Sequence, residues 1–301
     1  MKEEIRPLII LGPTAAGKSA LAVELALKLN GEVVSADSMQ VYRGMDIGTA
    51  KPTREERKGV PHHLIDIKDP DESWTVSDFL ERAHELTAEL AYEWKTPVIA
   101  GGTGLYLWSL LEGFSFPITP ADRELRAELD KEPASALYAK LLNIDPDAAS
   151  KIHPNDKKRI VRALEVFKLT GKPISSLQKT GELAHGLMGA RLIGLDLPRD
   201  LLYQRINERV DRMIGAGLLD EVKGLKEKGY GRELPSIKAL GYKEVLDHLE
   251  GIFSESEMIE ELKKRTRNFA RRQMTWFRRF KEVRWYDACS PTLLSDIIKV
   301  S

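Results

Sequence analysis

Residues 8–19, LIILGPTAAGKS, have the composition and spacing of a phosphate-binding loop, an apolar run followed by Gly-x-x-x-x-Gly-Lys-Ser. Glycine permits backbone angles that turn successive N–H groups into one concavity, where they can bind phosphate oxygens. Lys18 adds a positive charge, Ser19 a hydroxyl suited to Mg²⁺, and the helix predicted at 20–29 its positive N-terminal end. The segment therefore predicts a di- or triphosphate site, and it leaves open whether ATP also binds there. The predicted binding residues are Gly12, Pro13, Thr14, Ala15, Ala16, Gly17, Lys18 and Ser19.

Two further predicted strands end in residues that could take part in a reaction. One strand ends at Asp37, and another is followed by Gly101-Gly102-Thr103. In open parallel sheets ligands bind outside the carboxyl ends of the strands, so these residues should lie near the loop. A carboxylate beside bound phosphates either helps to hold Mg²⁺ or accepts a proton from an attacking group. The structural alternatives stay open: Asp37 could cap the next turn, and the Thr103 hydroxyl could bond its own backbone.

The remaining candidates for metal chemistry are weak. His62 and His63 are adjacent on a predicted strand, so their side chains point to opposite faces and cannot share one metal ion. The other histidines are scattered, and no Cys/His spacing suggests zinc. Mg²⁺ at the phosphates is therefore the only metal that the sequence predicts.

The elements that must position these residues alternate between strand-like runs and helical patterns. The runs are strongly apolar, as expected for parallel strands that are buried on both faces. Thr75-Val-Ser-Asp78 and Ser254-x-x-Glu257 are typical of capping boxes that begin helices. The pattern predicts an α/β fold, a P-loop NTPase-like parallel sheet flanked by helices, with only helices after Leu197. The predicted strands are Leu8–Leu11, Glu32–Ala36, His63–Ile67, Pro97–Ala100 and Arg191–Leu197.

The spacing between the last two of these strands is too long for one crossover helix. The intervening residues contain several helical patterns, the first of them opening at Thr119-Pro-Ala-Asp122, which is typical of an N-cap followed by proline. We therefore predict an all-helical insertion domain at 119–188. The phosphate-loop core then comprises 1–118 and 189–301.

Charge is unevenly distributed along a chain of 301 residues whose formal net charge is zero. Residues 157–172 carry six Lys or Arg against one Glu, and residues 263–284 carry ten against one. Two such runs suggest a basic surface for a polyanion such as nucleic acid, although solvated helix faces are the ordinary alternative. No apolar run approaches the ~20 residues that span a bilayer, and the first residues do not look like a signal peptide. With a single cysteine, Cys289, the composition predicts a cytoplasmic protein.

Taken together, seven blocks of the sequence resemble the bacterial tRNA dimethylallyltransferase (tRNA isopentenyltransferase) family. The resemblance implies transfer of a dimethylallyl group from dimethylallyl diphosphate to N6 of the adenine just 3′ of the tRNA anticodon, with release of diphosphate. It explains the basic runs as a tRNA surface and the loop as the site of a leaving group. The blocks are GPTAAGKS (12–19), SADSMQVYRGMDIGTAKP (35–52), VPHHLID (60–66), IAGGTGLYL (99–107), RIVRALEVF (159–167), LPSIKALGYKE (234–244) and RRQMTWFR (271–278).

The resemblance also implies roles for individual residues. Asp37 would be the general base, Thr103 would orient the diphosphate, and Lys18 would stabilise the departing charge together with Mg²⁺ near Ser19. Arg209 would be a further diphosphate partner. Contacts with the anticodon stem-loop would fall on Asp37, Ser38, Met39, Gln40, Arg126, Lys158, Arg159, Ile160, Val161, Arg162 and Lys238.

Other functions remain possible on the sequence alone. A nucleoside or nucleotide kinase would share the loop and the Mg²⁺ site, and an adenylate isopentenyltransferase would perform the same chemistry on a free nucleotide. Neither alternative accounts for two arginine-rich helices. An RNA-binding GTPase-like switch is disfavoured because the chain has no Asn-Lys-x-Asp guanine signature. No obligate protein partner is evident, and a monomer is expected.

Overall fold

A computed structural model describes residues 5–113, 122–177, 187 and 189–299. The chain divides into two units, a core unit of Met1–Trp108 with Gly186–Ser301 and a helical unit of Ser109–His185. The boundaries predicted for the insertion, at 119 and 188, lie outside the described residues.

The described part of the core unit contains a six-stranded parallel sheet in the order β3-β2-β4-β1-β5-β6. The central strand β1 lies with Leu8 opposite Val98 on one side and Arg191 on the other. Its four residues are all buried, because helices cover both faces of the sheet. The strands are β1 Leu8–Leu11, β2 Gly31–Ser35, β3 His62–His63, β4 Thr96–Ala100, β5 Arg191–Asp196 and β6 Arg284–Asp287.

Helices follow most of the strands, and both predicted capping boxes are confirmed. Thr75 and Asp78 cap α2 reciprocally, and Ser254 and Glu257 do the same for α12. None of the helices that the structure describes is long and apolar enough to cross a membrane. The helices are α1 Lys18–Lys28, α2 Val76–Tyr92, α3 Gly104–Glu112, α4 Arg123–Leu129, α5 Ala134–Ile144, α6 Pro146–Lys151, α7 Lys157–Thr170, α8 Ile174–Leu177, α9 Arg199–Gly215, α10 Leu218–Glu227, α11 Tyr242–Leu249, α12 Glu255–Phe277 and α13 Leu293–Ile298.

Two strand predictions are wrong. The strand predicted at 63–67 ends at His63, because Leu64 and Asp66 adopt left-handed backbone angles with φ of 61° and 57°. The prediction of helices alone after Leu197 missed β6, which pairs with β5 at the edge of the sheet. The sequence did not predict β6 because its four residues, RWYD, are partly or fully exposed and form no apolar run.

Two apolar clusters hold the core unit together. The first, which we name the sheet core, packs α1 against the strands and includes Ile10, Ala16 and Leu25. The second, which we name the second core, includes Met45 and Tyr242 with residues of α9, α10 and α12. The long helix α12 takes part in both, through Ala270 in the sheet core and through Met258 and Leu262 in the second core.

The helical unit has its own small core, built from one face of each of several helices. Residues of α4, α5 and α7 meet there, among them Leu129, Leu141 and Leu164. The cap predicted at Thr119 lies outside the described residues. The helix that the structure describes begins instead after Asp122, whose carboxylate accepts a hydrogen bond from the N–H of Leu125 at 2.9 Å.

Candidate active site

The phosphate loop turns from β1 into α1 through three residues with positive φ. Gly12 has φ 149°, and a Cβ at this position would lie 2.8 Å from the carbonyl oxygen of Leu195, so only glycine fits against β5. Ala15 has φ 64°, and Gly17 has φ 92° and precedes α1 directly. The first N–H groups of α1 have no partner within the helix, so this end is ready to bind an anion.

The Lys18 side chain folds back onto the main chain of the phosphate loop. Its Nζ donates a hydrogen bond to the carbonyl oxygen of Pro13 at 2.8 Å. Burial lowers the pKa of Lys18 to about 7, helped by the positive charge of Arg209 and opposed by the negative charge of Asp37. An anion in the loop would favour the charged ammonium again, so protonation of Lys18 should be coupled to phosphate binding.

The end of β2 places Asp37 at the same cavity. Its Oδ1 accepts hydrogen bonds from the N–H groups of Met39 at 2.9 Å and Gln40 at 3.4 Å, so the turn that the sequence left as an alternative is present. Its Oδ2 has no hydrogen-bond partner in the part of the chain that the structure describes. One oxygen therefore fixes the carboxylate, and the other is available to a ligand.

Thr103 connects the ends of β4 and β2. Its hydroxyl accepts a hydrogen bond from the Ser38 N–H at 3.0 Å and donates one to Ser38 Oγ at 3.3 Å. The alternative in which Thr103 bonds only its own backbone is therefore not observed. This contact holds the Asp37 turn against β4, and the predicted role in orienting a diphosphate stays a prediction.

Gln273 of α12 joins the phosphate loop to the glycine-rich turn after β4, and sequence analysis missed it. Its Oε1 accepts the N–H of Thr14 at 2.8 Å, and its Nε2 donates to the carbonyl oxygen of Gly102 at 2.8 Å. Its side chain is 4% exposed, and a Cβ at Gly102 would lie 2.4 Å from Nε2. The sequence did contain a signal for a buried polar contact, because Gln273 lies between Ala270 and Phe277 on the apolar stripe of α12.

A cavity of about 310 Å³ opens between these elements of the core unit. Its lining includes the charged residues Lys18, Asp37 and Arg209. Burial lowers the pKa of Arg209, and the Asp37 charge opposes that shift. Several other lining residues are apolar. A ligand that combines a phosphate group with an apolar or aromatic part matches this lining. The apolar lining residues include Val210, Met213, Leu240, Leu262 and Phe269.

The predicted tRNA contacts of the core unit lie at or beside this cavity. Ser38, Met39 and Gln40 line it with Asp37, and the exposed Lys238 immediately precedes the lining residues 239–241. The Gln40 side chain is already engaged, because its Oε1 accepts from Ser35 Oγ at 3.1 Å and its Nε2 donates to main-chain carbonyls. A base-reading role for Gln40 would require these bonds to be exchanged.

The predicted contacts on the helical unit divide into exposed and buried residues. Lys158 and Arg159 are exposed in the first turn of α7. Ile160 and Val161 are only 0% and 4% exposed because they lie on the apolar stripe of α7. The tRNA contact at these two positions stays a prediction, and it would have to involve the main chain.

Arg126 and Arg162 of the helical unit are held by a buried carboxylate. Glu165 is 0% exposed and accepts hydrogen bonds from Arg126 at 2.8 and 2.9 Å and from Arg162 at 2.6 Å. Burial alone would raise the pKa of Glu165, but its bonds to the two guanidinium groups and to the Asp122 N–H hold it below its usual range. Arg126 therefore fastens α4 to α7, whereas Arg162 pairs with Glu165 within α7.

The residues around the loop fit a magnesium ion that is held largely by phosphate. No group of three or more His, Cys, Asp or Glu that could hold a metal exists among the described residues. Ser19 is exposed beside the loop, and its hydroxyl bonds no other described residue. Mg²⁺ commonly uses one or two protein ligands and completes its shell with phosphate oxygens and water, so this sparse donor set suits it.

Comparison with known proteins places the chain in one family along nearly its whole length. The family model described as IPP transferase matches residues 40–280, and the one described as isopentenyl transferase matches residues 5–72. The tRNA dimethylallyltransferase of Geobacter metallireducens is 49% identical over 95% of this chain and 94% of its own length. That of Pelotomaculum thermopropionicum is 47% identical over 92% and 89%.

Solved structures agree in fold. The full-length tRNA isopentenylpyrophosphate transferase from Bacillus halodurans gives a TM-score of 0.73 at 45% identity, covering 98% of this chain and 95% of that one. A eukaryotic dimethylallyltransferase acting on tRNA gives a TM-score of 0.78 at 31% identity, over 94% and 74%. The predicted P-loop NTPase-like parallel sheet is confirmed. With a family match over most of its length and such relatives, the chain belongs to the IPP transferase family.

Proposed function

We propose that the chain transfers a dimethylallyl group from dimethylallyl diphosphate to N6 of the adenine 3′-adjacent to the anticodon in tRNA. The observation that carries the proposal is a single cavity that combines the phosphate loop, the Asp37 carboxylate and an apolar lining. The phosphate loop suits the leaving diphosphate, the Asp37 carboxylate suits the proton that is released, and the apolar residues suit the prenyl chain. The family membership of the chain supports the same assignment.

The donor binds with its diphosphate in the loop and its prenyl chain along apolar residues. As the bond between the allylic C1 and oxygen breaks, negative charge grows on the departing diphosphate. The loop amides, Lys18 and Arg209 stabilise that charge in a partly buried site, where such interactions are stronger than in water. This stabilisation is the largest contribution that we expect from the protein.

Asp37 accepts the proton that the acceptor must lose. The adenine amine is a weak nucleophile, so the bond between N6 and C1 forms as the bond from C1 to oxygen breaks, and one N6 proton passes to Asp37 in the same step. Asp37 Oδ2 is the available carboxylate oxygen at the cavity, and Oδ1 is fixed by the Met39 and Gln40 amides. A positioned carboxylate of this kind is typical of a general base.

Ser19 would hold Mg²⁺ through its hydroxyl, together with oxygens of the bound diphosphate. When bound, Mg²⁺ supplies positive charge that favours departure of the diphosphate. Ser19 is exposed at the beginning of α1, directly beside Lys18.

The second half of α12 and the residue directly after it provide uncompensated positive charge for RNA. Arg271 and Arg278 are exposed and form no ion pair with any residue that the structure describes. In the first half of the same helix, Lys263 pairs with Asp211 at 2.8 Å and Arg265 with Glu244 at 2.8 Å. Charges without protein partners are those that a phosphate backbone can neutralise.

Replacing Arg271 and Arg278 together by alanine should weaken tRNA binding and reduce its salt dependence. The slope of log K against log salt should fall by about 0.7 to 0.9 for each phosphate contact that is lost. Binding titrations at several salt concentrations measure the slope, and Lys263→Ala is the control because its charge is already paired. Equal slopes in the double variant and the wild type would contradict a phosphate contact here.

Binding of inorganic diphosphate should weaken as pH rises above about 7, the pKa of Lys18. Below that pH Lys18 is already protonated, whereas above it each binding event must take up a proton, so affinity falls with pH. Calorimetry in EDTA measures this, and Lys18→Arg is the control because arginine stays charged. The titration of the ligand itself affects both proteins alike. Parallel pH profiles for the two would argue against this coupling.

One assay tests the proposed function against its rivals. Labelled dimethylallyl diphosphate is incubated with Mg²⁺ and, in turn, with unmodified tRNA, AMP or ATP. Label in tRNA alone supports the proposal, and label in AMP or ATP alone identifies an adenylate isopentenyltransferase instead. ATP consumption without any prenyl transfer identifies a kinase.

A further inference from the structure

The Glu221 carboxylate organises a main-chain segment that has no regular secondary structure. Its Oε2 accepts the N–H groups of Asp46 at 2.9 Å and Ile47 at 2.8 Å, and its Oε1 accepts the N–H of Gly48 at 3.1 Å. Oε1 also accepts the Tyr242 hydroxyl at 2.6 Å. Four donors fill the capacity of a carboxylate, so one side chain of α10 binds all three main-chain N–H groups of residues 46–48.

Tyr242 links this segment to a second stretch of chain. Its side chain is 0% exposed, and a Cβ at Gly48 would lie 2.5 Å from the tyrosine ring, so the ring and the Gly48 backbone are in close contact. Burial and the Glu221 charge raise the pKa of Tyr242, which keeps the hydroxyl a donor. Gly241, the preceding residue, has φ 94° and lies against Gly48 as well.

These two segments form one wall of the cavity. Gly48, Thr49 and residues 239–241 all line it, and we name residues 46–49 and 239–242 the Glu221 wall. The wall packs on the second core, whereas Ala15 and Ala16 of the phosphate loop pack on the sheet core. The wall and the phosphate loop therefore contact different apolar clusters, although α12 contributes residues to both.

The Glu221 wall also touches the turn that carries the base. Gln40 Nε2 donates to the carbonyl oxygens of Thr49 and Ala50, both at 3.4 Å, and the Gln40 N–H donates to Asp37 Oδ1. A shift of the wall would therefore displace the Asp37 turn through the Gln40 side chain. The phosphate loop has no comparable connection to the wall among the described residues.

We propose that Glu221 is a positioning residue for the adenine that accepts the prenyl group, and that it acts through the main chain of residues 46–48. The inference rests on the proposed function, in which the donor is anchored in the loop and the acceptor approaches Asp37. An acceptor that reaches Asp37 within the cavity would also meet the Glu221 wall, because both line the same cavity. Glu221 touches neither substrate, and its effect is to keep that wall at a fixed distance from the carboxylate.

Glu221→Gln tests the proposal, because a glutamine presents an NH₂ group to the backbone N–H donors in place of one acceptor oxygen. We expect kcat/KM for tRNA to fall about tenfold or more, while the affinity for dimethylallyl diphosphate stays within about twofold. Asp220→Asn is the control, since it removes the same charge from the neighbouring position of α10, where the side chain is 85% exposed. The control should match the wild type in both measurements.

The outcomes separate the inference from a purely structural role and from failure of the function. Equal losses for tRNA and donor, or unchanged tRNA kinetics, would overturn the inference. If Glu221→Gln does not fold, Tyr242→Phe replaces it, because this change removes one of the four donors to Glu221. We expect kcat/KM for tRNA to fall about two- to fivefold while the donor affinity is unchanged. An unchanged kcat/KM for tRNA overturns the inference. Wild-type protein that transfers no label to tRNA would overturn the proposed function itself, and the inference with it.

Discussion

Asp37→Asn should slow prenyl transfer to tRNA by about 10²- to 10⁴-fold, the range for loss of a general base. Asparagine keeps an oxygen that can accept the Met39 and Gln40 N–H groups, so the turn should survive. The amide cannot take up the N6 proton, and this is the one function that the change removes. Single-turnover rates at saturating donor and tRNA measure the chemical step directly.

The donor affinity of the same variant distinguishes the two roles that a carboxylate can have at this place. Removing a negative charge beside the phosphate loop should leave diphosphate binding unchanged or tighter if Asp37 is only a base. Weaker binding that depends on Mg²⁺ would instead assign Asp37 to the metal. Asp37→Ala is a useful companion, because it removes the turn contacts as well as the base. A near-normal single-turnover rate for Asp37→Asn would exclude the residue as the base.

Local sequence patterns were sufficient to predict the phosphate loop, the parallel sheet and the helix starts. The loop follows from glycine positions, since Gly12 and Gly17 adopt the angles that their spacing implies. The capping boxes at Thr75 and Ser254 follow from residues only three apart. In each case the determining contacts lie within a few residues, so the pattern contains the whole physical cause.

The features that the sequence did not reveal depend on contacts between distant residues. β6 is recognised only by its pairing with β5, since its own residues are too exposed to form an apolar run. Gln273 accepts the N–H of Thr14, which is 259 positions away in the sequence. Glu221 accepts the N–H groups of residues 46–48, which are more than 170 positions away. The burial of Ile160 and Val161 was also not anticipated, because a block of contacts inferred from resemblance does not separate exposed residues from those that face the core.

Gln273→Glu should reduce the affinity for dimethylallyl diphosphate by about 30-fold or more. The variant places a carboxylate at the loop, where the charge is repelled by the diphosphate and by the Gly102 carbonyl oxygen. At an effective dielectric constant of about 20, two unit charges about 8 Å apart interact by about 2 kcal/mol, which corresponds to a factor of about 30. Binding of the donor and of inorganic diphosphate, measured by calorimetry, gives the effect directly.

Gln273→Met separates the charge from the hydrogen bonds. Methionine fills similar space but makes neither bond, so Gly102 loses a donor and the free energy of unfolding should fall by about 1–3 kcal/mol. Because no charge is introduced, donor affinity should fall much less than in the glutamate variant. Equal losses of affinity in the two variants would show that the bonds, and not the charge, determine binding.

The pH dependence of Gln273→Glu provides a further test of the geometry. A protonated carboxyl group can accept the Thr14 N–H and donate to the Gly102 oxygen, which reproduces the pattern of the glutamine. Burial and the nearby diphosphate both raise the pKa of such a group, so its protonated form should be populated at mildly acidic pH. Donor affinity should therefore recover, relative to the wild type, as pH falls. A ratio of affinities that does not change with pH would mean that residue 273 does not bridge the phosphate loop and the turn after β4 when the donor is bound.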